Sequence, residues 1–391
     1  MENVIIVSAK RTPVASFQGA LAQIPAPKLG ALAISAAVKE AGISPSDVEE
    51  CIMGEVLTAG VGQAPARQAA LGAGLKESTV CLTINKVCGS GLKAVMLGAN
   101  SIQLGESKIV VAGGQENMSL APHLLENSRN GFRMGNATVA DSMVKDGLWD
   151  PYSNWHMGSA AELCVKEKLF TREDQDAFAK NSYIKATDAQ TKGYFKNEIT
   201  PVEIQDRKGT VLFSVDEEPG KANFEKMTSL KPAFDKAGTI TAANASKLND
   251  GAAALVLMSE SEAKKRGIKG LAKIISSGSF AQDPKWFTTA PVGAIKAALN
   301  KANLKVSDID FWEINEAFSV VTQVAIRELE IPADRVNPHG GAVAIGHPIG
   351  ASGARILTTL VHELQTHNKR YGLATLCIGG GEAFAMIIER I

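Results

Sequence analysis

The sequence predicts a mixed α/β fold made of two copies of one unit, with a loop-rich domain inserted between the copies. Three observations lead to this prediction: an internal repeat, a polar glycine-containing middle segment, and the overall composition. The chain has 391 residues, of which 45% are hydrophobic and 21% are charged. A chain of this length and composition can bury the cores of two or three domains.

The internal repeat relates the beginning of the chain to its C-terminal part. Ala33–Val38 and Ala294–Leu299 share the pattern Ala-Ile-x-Ala-Ala-aliphatic, and each is followed by a Ser-Asp turn and a short apolar run. This order predicts helix, turn and strand in each copy. Two later matches pair Ser90–Val95 with Ser352–Leu357, and Val110–Gly114 with Leu376–Gly380. A duplicated pair of α/β halves accounts for these matches.

The middle of the chain has a different character from the repeated units. Residues 119–247 are rich in Gly, Asn, Lys and Asp and show little strand alternation, which predicts an inserted, loop-dominated domain. The N-terminal half is therefore assigned to residues 1–118 plus 248–269, and the C-terminal half to residues 270–391. Within the insertion, Thr171–Asp174 predicts the cap of a helix that runs to about Ala189. Long loops on a rigid scaffold often bind ligands.

Charge and cysteine usage exclude several functions. Lys plus Arg equals Asp plus Glu, at 41 each, so no overall field attracts nucleic acid or an anionic membrane. The apolar runs are shorter than the roughly 20 residues of a membrane span. The five cysteines are widely spaced and form no Cys-x-x-Cys pair, which argues against a disulfide scaffold and a zinc site. The chain starts with an apolar run, Val4–Val7, without a leader, so we expect a cytoplasmic protein.

The first candidate for chemistry is Cys88, which follows an apolar run that ends near Ile84. It lies at the start of a predicted helix, where the helix dipole and free backbone amides lower the pKa of a thiol. The neighbouring Gly89 and Gly91 would let a substrate approach the sulfur. A buried structural cysteine is the alternative, but the helix start and the glycines favour a nucleophile.

Three further groups lie in segments that could carry chemistry. Cys377 precedes Gly379–Gly381, which brings backbone N–H groups near the thiol, although a tight strand-to-strand turn would use the same glycines. His339 and His347 share a glycine-rich loop, and histidine can take a proton from a thiol near neutral pH. A metal site would need more ligands nearby. Asn315 follows a predicted strand, where its amide could hold a water or an oxyanion.

Together and in this order, these segments resemble the thiolase superfamily over essentially the whole chain. The residues that carry the resemblance are Asn85, Cys88, Ser90, Gly91 and Ala94 around the nucleophile, with Asn315–Phe318, Gly346–Gly350 and Cys377–Gly381. One departure is Ala383, where the family often has glycine. The resemblance implies a thiolase-like fold, in which two βαβαβαββ halves form a layered α/β/α/β/α sandwich with an inserted loop domain.

The resemblance also implies the reaction, a reversible condensation of two acetyl-CoA molecules to acetoacetyl-CoA and CoA. Cys88, activated by His347, would take the acetyl group, and Cys377 would remove a proton from the methyl group of the second acetyl-CoA. One oxyanion hole would consist of His347 and a water held by Asn315, the other of the backbone amides of Cys88 and Gly379. Such donors stabilise the charge that develops on a thioester oxygen.

The resemblance further implies which residues surround the substrate. His156 and Met157 would lie over the acyl pocket, and Met157 with Phe318 would close it to long acyl chains. The CoA contacts would come from the inserted domain, at Ala242, Ser246 and Leu248.

Charge and ions complete this picture of the substrate site. Lys221, with Lys226 and Lys231, would provide positive charge for the nucleotide phosphates, although each lysine could equally belong to a solvated face. No cofactor is implied beyond the CoA thioester substrates, and a structural potassium ion near Ala242–Ala245 stays an open possibility.

Three alternative functions remain. A degradative 3-ketoacyl-CoA thiolase of broad chain-length specificity is the nearest, and His156 and Met157 argue against it. A condensing enzyme that uses a carrier protein would have a second histidine in place of Cys377. A noncatalytic acyl or lipid carrier on the same fold would lack the nucleophile or the acid/base residues. Family members are dimers or tetramers, so a homo-oligomer with a role in lipid metabolism is expected.

Overall fold

The apolar runs of the first unit fold as strands and its Ala-rich segments as helices, in the predicted order. The structure is a computed structural model that describes residues 2–206 and 209–391. The first unit begins with β1 (Val4–Arg11), β2 (Ala15–Ser16), α1 (Ala26–Glu40), β3 (Glu50–Gly54), α2 (Pro65–Gly72), β4 (Val80–Ile84), α3 (Ser90–Leu104) and β5 (Ile109–Asn117).

The inserted segment contains more regular structure than its composition predicts. Its elements are β6 (His123–Leu124), β7 (Ala140–Asp141), β8 (Trp149–Asp150), β9 (Trp155–His156), α4 (Met157–Glu167), α5 (Arg172–Lys192), β10 (Val202–Asp206), β11 (Gly209–Phe213) and α6 (Phe224–Met227). The predicted helix is α5, and its capping box is confirmed: Asp174 N–H donates to Thr171 Oγ1 at 3.1 Å, and Thr171 N–H donates to Asp174 Oδ2 at 2.8 Å. The domain boundaries stay a prediction.

The rest of the chain completes the first unit and builds the second. The elements are β12 (Asn249–Ser259), α7 (Glu260–Arg266), β13 (Ala272–Ala281), α8 (Ala290–Ala302), β14 (Phe311–Ile314), α9 (Ser319–Leu329), α10 (Ala342–Ile345), α11 (Ser352–Thr366), β15 (Tyr371–Ile378) and β16 (Glu382–Arg390). The first unit thus has the predicted βαβαβαββ order. In the second unit the third strand is reduced to one β-bridge between Trp312 and Val336.

Ten of the described strands form one sheet, in the order β14-β15-β16-β13-β1-β12-β5-β3-β4, with β2 paired to β12. The two units meet where β1 pairs with β13, at Ile5 with Lys273 and Ile6 with Ala272. The pairs β3–β4, β3–β5 and β14–β15 are parallel, and the other pairs along this order are antiparallel.

Hydrophobic packing stacks these elements in five layers. One core joins α3 and α11 to both halves of the sheet, with Leu92 and Leu360 fully buried. A second core joins α1 and α2 to the outer face of the first half, and a third joins α8 and α9 to the outer face of the second half. The α/β/α/β/α sandwich is therefore confirmed, and α3 and α11 form its central layer.

The two central helices approach each other through glycine. A Cβ atom on Gly91 would lie 2.7 Å from Ala354 N, and one on Gly353 would lie 2.4 Å from Leu92 N. Glycine lacks the Cβ atom that would prevent this approach. The N-terminal ends of α3 and α11 therefore lie side by side, which brings the loops that precede them to one point.

The insertion is attached to the first unit by a buried charge cluster. Arg11 of β1 donates from Nε to Glu198 Oε1 and from Nη1 to Asp216 Oδ1, both at 2.6 Å. Within residues 2–206 and 209–391, no helix has the length and apolar character needed to cross a membrane.

Candidate active site

A narrow cavity lies where β15 ends and where α3, α4 and the loop before α11 begin. Its volume is about 60 Å³. It brings together most of the predicted site residues, and its lining consists of Cys88, Gly147, Leu148, His156, Met157, Ser246, Phe287, Ala317, Phe318, His347, Ile349, Cys377 and Gly379.

A tight turn between β4 and α3 holds Cys88 at the cavity. Val87 has φ +47°, which is a strained conformation for a β-branched residue. The Ser90 hydroxyl stabilises the turn, since it donates to Val87 O at 2.7 Å and accepts from Lys86 N–H at 2.8 Å. Strain of this kind often occurs at functional positions, where the surrounding contacts hold it in place.

Burial sets the protonation state of Cys88. It raises the pKa of the thiol to about 11, against the opposing effect of hydrogen bonds from the Gly379 and Cys88 backbone amides. The lowered pKa predicted from the helix start is therefore wrong, because desolvation outweighs the backbone donors here. The thiol carries its proton at rest and needs a base.

His347 has the form that such a base requires. Its Nδ1 lies 2.6 Å from Ser352 Oγ, and that hydroxyl also lies 2.8 Å from Pro348 O. Because the hydroxyl proton goes to the carbonyl, Ser352 Oγ accepts Nδ1–H, which leaves a lone pair on Nε2. Nε2 is buried and has no hydrogen-bond partner among the described residues. Burial, with a smaller effect of Arg355, lowers the pKa of His347 to about 3, so the ring is neutral.

Two distant side chains hold the loop that carries His347. Asn249 Oδ1 accepts the His347 backbone N–H at 2.8 Å, and Glu116 accepts the Gly350 N–H at 2.8 Å. Sequence reasoning did not select Ser352, Asn249 or Glu116 as site residues. Ser352 had a signal, since it matches Ser90 in the repeat, whereas Asn249 and Glu116 lie within strands and had none.

Cys377 lies next to Cys88 at the end of β15. It is buried, and burial, followed by the nearby Cys88, raises the pKa of its thiol well above the usual value. The chain then turns through Gly380 and Gly381, with φ +91° and +84°, which favour glycine. This turn directs the Gly379 N–H at the Cys88 sulfur.

Asn315 is buried beside His347 but is not among the residues that line the cavity. Its Nδ2 lies 3.4 Å from His347 Nδ1, and its buried Oδ1 has no partner among the described residues. An unpaired buried acceptor beside the unpaired His347 Nε2 is a suitable place for a small polar ligand such as water. The next residue, Glu316, accepts from Ser182 Oγ and Asn337 Nδ2, both at 2.7 Å, and so fixes this loop to α5.

Aromatic and thioether side chains close the cavity on the insertion side. Met157 is the first residue of α4, which His156 caps by accepting Gly158 N–H at Nδ1. The His156 ring stacks on Phe234 with centroids 4.8 Å apart. Phe318 meets Phe234 and Phe287 edge to face, at 5.9 and 6.3 Å. Sequence reasoning missed Phe234.

A second cavity of about 280 Å³ continues outward from the first. The two share His156, Ser246, Phe318 and His347, and the outer one passes Leu248. The two cavities therefore adjoin and form a channel that extends from Cys88 to Val144 and Lys247 of the insertion.

Two of the predicted CoA-binding positions lie outside this channel. Ala242 is exposed and lines neither cavity as described. Lys221 Nζ instead contacts Ser16 Oγ and pairs with Glu217 Oε1 at 2.9 Å. Lys226 and Lys231 are exposed on the same insertion.

Fold and site together define a class of enzyme. A duplicated five-layer sandwich carries a neutral cysteine–histidine pair, with a second buried cysteine beside the nucleophile, at the end of a channel. This arrangement is suited to acyl transfer through a cysteine, because it provides a nucleophile, its base and a second acid/base group.

Comparisons with known proteins give the family. Residues 4–261 match the family model described as "Thiolase, N-terminal domain", and residues 268–390 match "Thiolase, C-terminal domain". The chain belongs to the thiolase family.

Full-length relatives agree with this assignment. The chain is 55% identical over 392 aligned positions to the acetyl-CoA acetyltransferase of Cupriavidus necator, and 51% identical to that of Pseudomonas aeruginosa, with 100% of each chain covered. A crystal structure of the Bacillus anthracis acetyl-CoA acetyltransferase superposes with a TM-score of 0.98 at 41% identity, covering 100% of this chain and 99% of the other.

Proposed function

We propose that this chain is an acetyl-CoA C-acetyltransferase that condenses two acetyl-CoA molecules to acetoacetyl-CoA and CoA, and that also runs the reverse thiolysis. The observation that carries the proposal is the position of Cys377 and the free Nε2 of His347 beside Cys88 in one small cavity. Relatives of about 50% identity over the whole chain, named acetyl-CoA acetyltransferase, support the same substrate.

The first half-reaction transfers an acetyl group to Cys88. His347 Nε2 takes the Sγ proton as the sulfur attacks the thioester carbonyl, and the Gly379 and Cys88 N–H groups stabilise the oxygen that becomes negative. The C–S bond to CoA then breaks. The leaving thiolate takes a proton from the nearby Cys377 thiol, which leaves acetyl-Cys88, free CoA, a Cys377 thiolate and protonated His347.

The second half-reaction forms the carbon–carbon bond. The Cys377 thiolate is a strong base because burial disfavours its charge, and it takes a proton from the methyl group of a second acetyl-CoA. Protonated His347 and a water on Asn315 stabilise the enolate oxygen. The carbanion attacks acetyl-Cys88, the C–S bond to Cys88 breaks, and the sulfur regains its proton from His347. All groups thereby return to their starting protonation states.

A chain-length series tests the proposal. We expect rapid cleavage of acetoacetyl-CoA, an acetyl adduct on Cys88 by intact-protein mass spectrometry, and slow cleavage of six-carbon and longer 3-ketoacyl-CoA. Equal rates along the series would favour the degradative enzyme of broad specificity. Binding of acyl-CoA without an adduct or turnover would favour a noncatalytic carrier.

For the assembly, we propose a homo-oligomer, with a homotetramer as the expected state. β4 is the last strand of the sheet among the described residues, and it exposes Val80 and Leu82 at 67% and 43%. Apolar side chains on a sheet edge commonly mark a pairing surface. Light scattering of the full chain tests the assembly.

A cytoplasmic location and a role in lipid metabolism are proposed on the resemblance and the unpaired cysteines.

We propose that the enzyme needs no potassium ion near Ala242–Ala245. Lys247 supports this, because its Nζ donates to Ala245 O at 2.9 Å and lies 3.4 Å from Val343 O. The chain's own ammonium group thus occupies the position where a monovalent cation would meet these two carbonyl oxygens, so the residues present do not fit an additional ion.

A further inference from the structure

A second pair of cysteines lies away from the active site, on the outer face of the first half. Cys51 on β3 and Cys81 on β4 are direct partners in the parallel register. Neighbouring strands lie about 4.7–4.9 Å apart, which falls within the roughly 4.4–6.8 Å between Cα atoms that a disulfide spans. Both side chains face the core under α1 and α2, so their sulfurs point to the same side.

The two thiols differ in their pKa values. A hydrogen bond from Cys51, aided by Arg67 and opposed by burial, lowers the pKa of Cys81 to about 7. The same hydrogen bond and full burial raise the pKa of Cys51 well above its usual value. The Cys81 thiol also donates to Thr79 O at 3.5 Å. The pair therefore combines Cys81, which loses its proton more readily, with Cys51, which loses it less readily.

Arg67 holds its charge beside Cys81 by contacts of its own. Its Nη1 donates to Thr79 O and its Nη2 donates to Glu77 O, each at 2.8 Å. Cys81 is partly exposed, whereas Cys51 is fully buried. Val80 and Leu82 point to the opposite face of the strand from Cys81.

We propose that Cys51 and Cys81 are a redox site that forms a reversible intrachain disulfide with a peroxide as oxidant. The Cys81 thiolate attacks the peroxide, the O–O bond breaks, and Cys81 becomes a sulfenic acid as hydroxide leaves. The Cys51 sulfur then attacks the Cys81 sulfur, the S–O bond breaks and water is released. In total, two thiols and one hydrogen peroxide give one disulfide and two waters.

The arrangement matches the known requirements for a redox-sensitive thiol, which are a low pKa, access to solvent and a resolving cysteine nearby. Cys81 is partly exposed, and exposed disulfides are reduced readily. A dithiol reductant therefore restores both thiols. Because β4 runs into the Cys88 turn, the site lies close to the nucleophile in sequence.

Peptide mapping after mild oxidation tests the proposal. The full chain is treated with hydrogen peroxide, free thiols are blocked with iodoacetamide, and a nonreduced tryptic digest is analysed by mass spectrometry. Cleavage after Lys and Arg places Cys51 in residues 40–67, Cys81 in 77–86, Cys88 in 87–93 and Cys377 in 371–390. We expect a cross-link between 40–67 and 77–86 that dithiothreitol reverses.

Variants identify the attacking and the resolving sulfur. Cys51→Ala should remove the cross-link and leave a Cys81 sulfenic acid that dimedone traps, while Cys81→Ser should leave Cys51 unmodified. Cys164→Ala, which changes another buried cysteine, should keep the cross-link. Wild-type protein whose Cys51 and Cys81 remain alkylatable by iodoacetamide after peroxide treatment, or that cross-links all five cysteines without preference, would contradict the proposal even if a variant failed to fold.

Discussion

The two halves of the molecule have the same architecture but supply different chemistry. In the first half, the turn before α3 carries the nucleophile Cys88. In the second half, the loop before α11 carries the base His347, and the end of β15 carries Cys377. The strand equivalent to β15 in the first half, β5, continues instead into buried Gln115–Asn117. A duplicated scaffold therefore positions the groups, and divergence at its helix starts and strand ends determines the chemistry.

The largest expected effects come from replacing the two active-site cysteines, Cys88 of the first half and Cys377 of the second half, and the two substitutions should block different steps. Cys88→Ser should lose acetylation, because it removes the attacking sulfur. Cys377→Ser should still be acetylated but lose at least about 10²-fold in condensation, the scale of general acid–base help. Mass spectrometry reads the first step, and absorbance of the acetoacetyl-CoA enolate reads the second. Acetylation of the Cys88 variant but not of the Cys377 variant would reverse the assignment.

The contact between the halves is tested by Gly353→Ala. The new Cβ would lie 2.4 Å from Leu92 N, so α3 and α11 must separate, with a loss of about 1–3 kcal/mol in stability. Thermal or urea unfolding measures it. Gly220→Ala is the control, because Gly220 is exposed and a Cβ atom added there would meet no heavy atom within 4 Å. An equal effect in both variants would contradict the close-contact explanation.

Ser352→Ala tests whether the Ser352 hydroxyl sets the tautomer of His347, the base that the second half supplies. Without the hydroxyl, the Nδ1 proton of His347 loses its acceptor and the reactive tautomer is no longer favoured. One hydrogen bond of about 1–1.5 kcal/mol corresponds to about a tenfold slower acetylation of Cys88. Thr358→Val removes another buried hydroxyl from α11, one without a partner among the described residues, and should keep the acetylation rate. A Ser352 variant with wild-type acetylation would show that the tautomer is set elsewhere.

A smaller effect is expected at Met157, which the insertion contributes to the wall of the active-site cavity. Met157→Ala opens the cavity opposite Cys88, so cleavage of a six-carbon 3-ketoacyl-CoA should rise relative to acetoacetyl-CoA. Changes of one or a few methylene groups in a pocket are worth roughly 10-fold or somewhat more in specificity. The ratio of kcat/KM values measures it. An unchanged ratio would mean that Phe318 and Phe287 alone limit the chain length.

The smallest effect concerns the contact between the insertion and the second half at Lys247. Lys247→Met leaves the Ala245 and Val343 carbonyl oxygens without their cation, with a loss of about 0.5–1 kcal/mol in the free energy of unfolding. Potassium chloride should then raise the Tm of the variant more than sodium chloride does, and should not distinguish the wild type. Lys226→Met, at an exposed lysine of the same insertion, is the control. A wild-type enzyme stabilised specifically by potassium would contradict the absence of an ion requirement.

The sequence alone determined a large part of this description. The repeat identified both halves. The helix start at Ser90, the capping box at Thr171 and the glycine turn after Cys377 could also be predicted, because caps and turns depend on residues close in the chain. The motifs also identified Cys88, His347 and Cys377. By contrast, the sequence predicts an insertion dominated by loops, because its long helix α5 is polar and is stabilised by packing against α9 and α10 of the second half.

Only the tertiary structure decided the protonation state of Cys88 and the tautomer of His347. Whether Cys88 is a thiol or a thiolate depends on how much of its surroundings is protein, and burial outweighed the helix start. The tautomer of His347 depends on Ser352, and its loop depends on Asn249 and Glu116, which come from other elements. The side-by-side pairing of Cys51 with Cys81 likewise follows from strand register. Desolvation and long-range contacts set these properties, and a local pattern of residues contains neither.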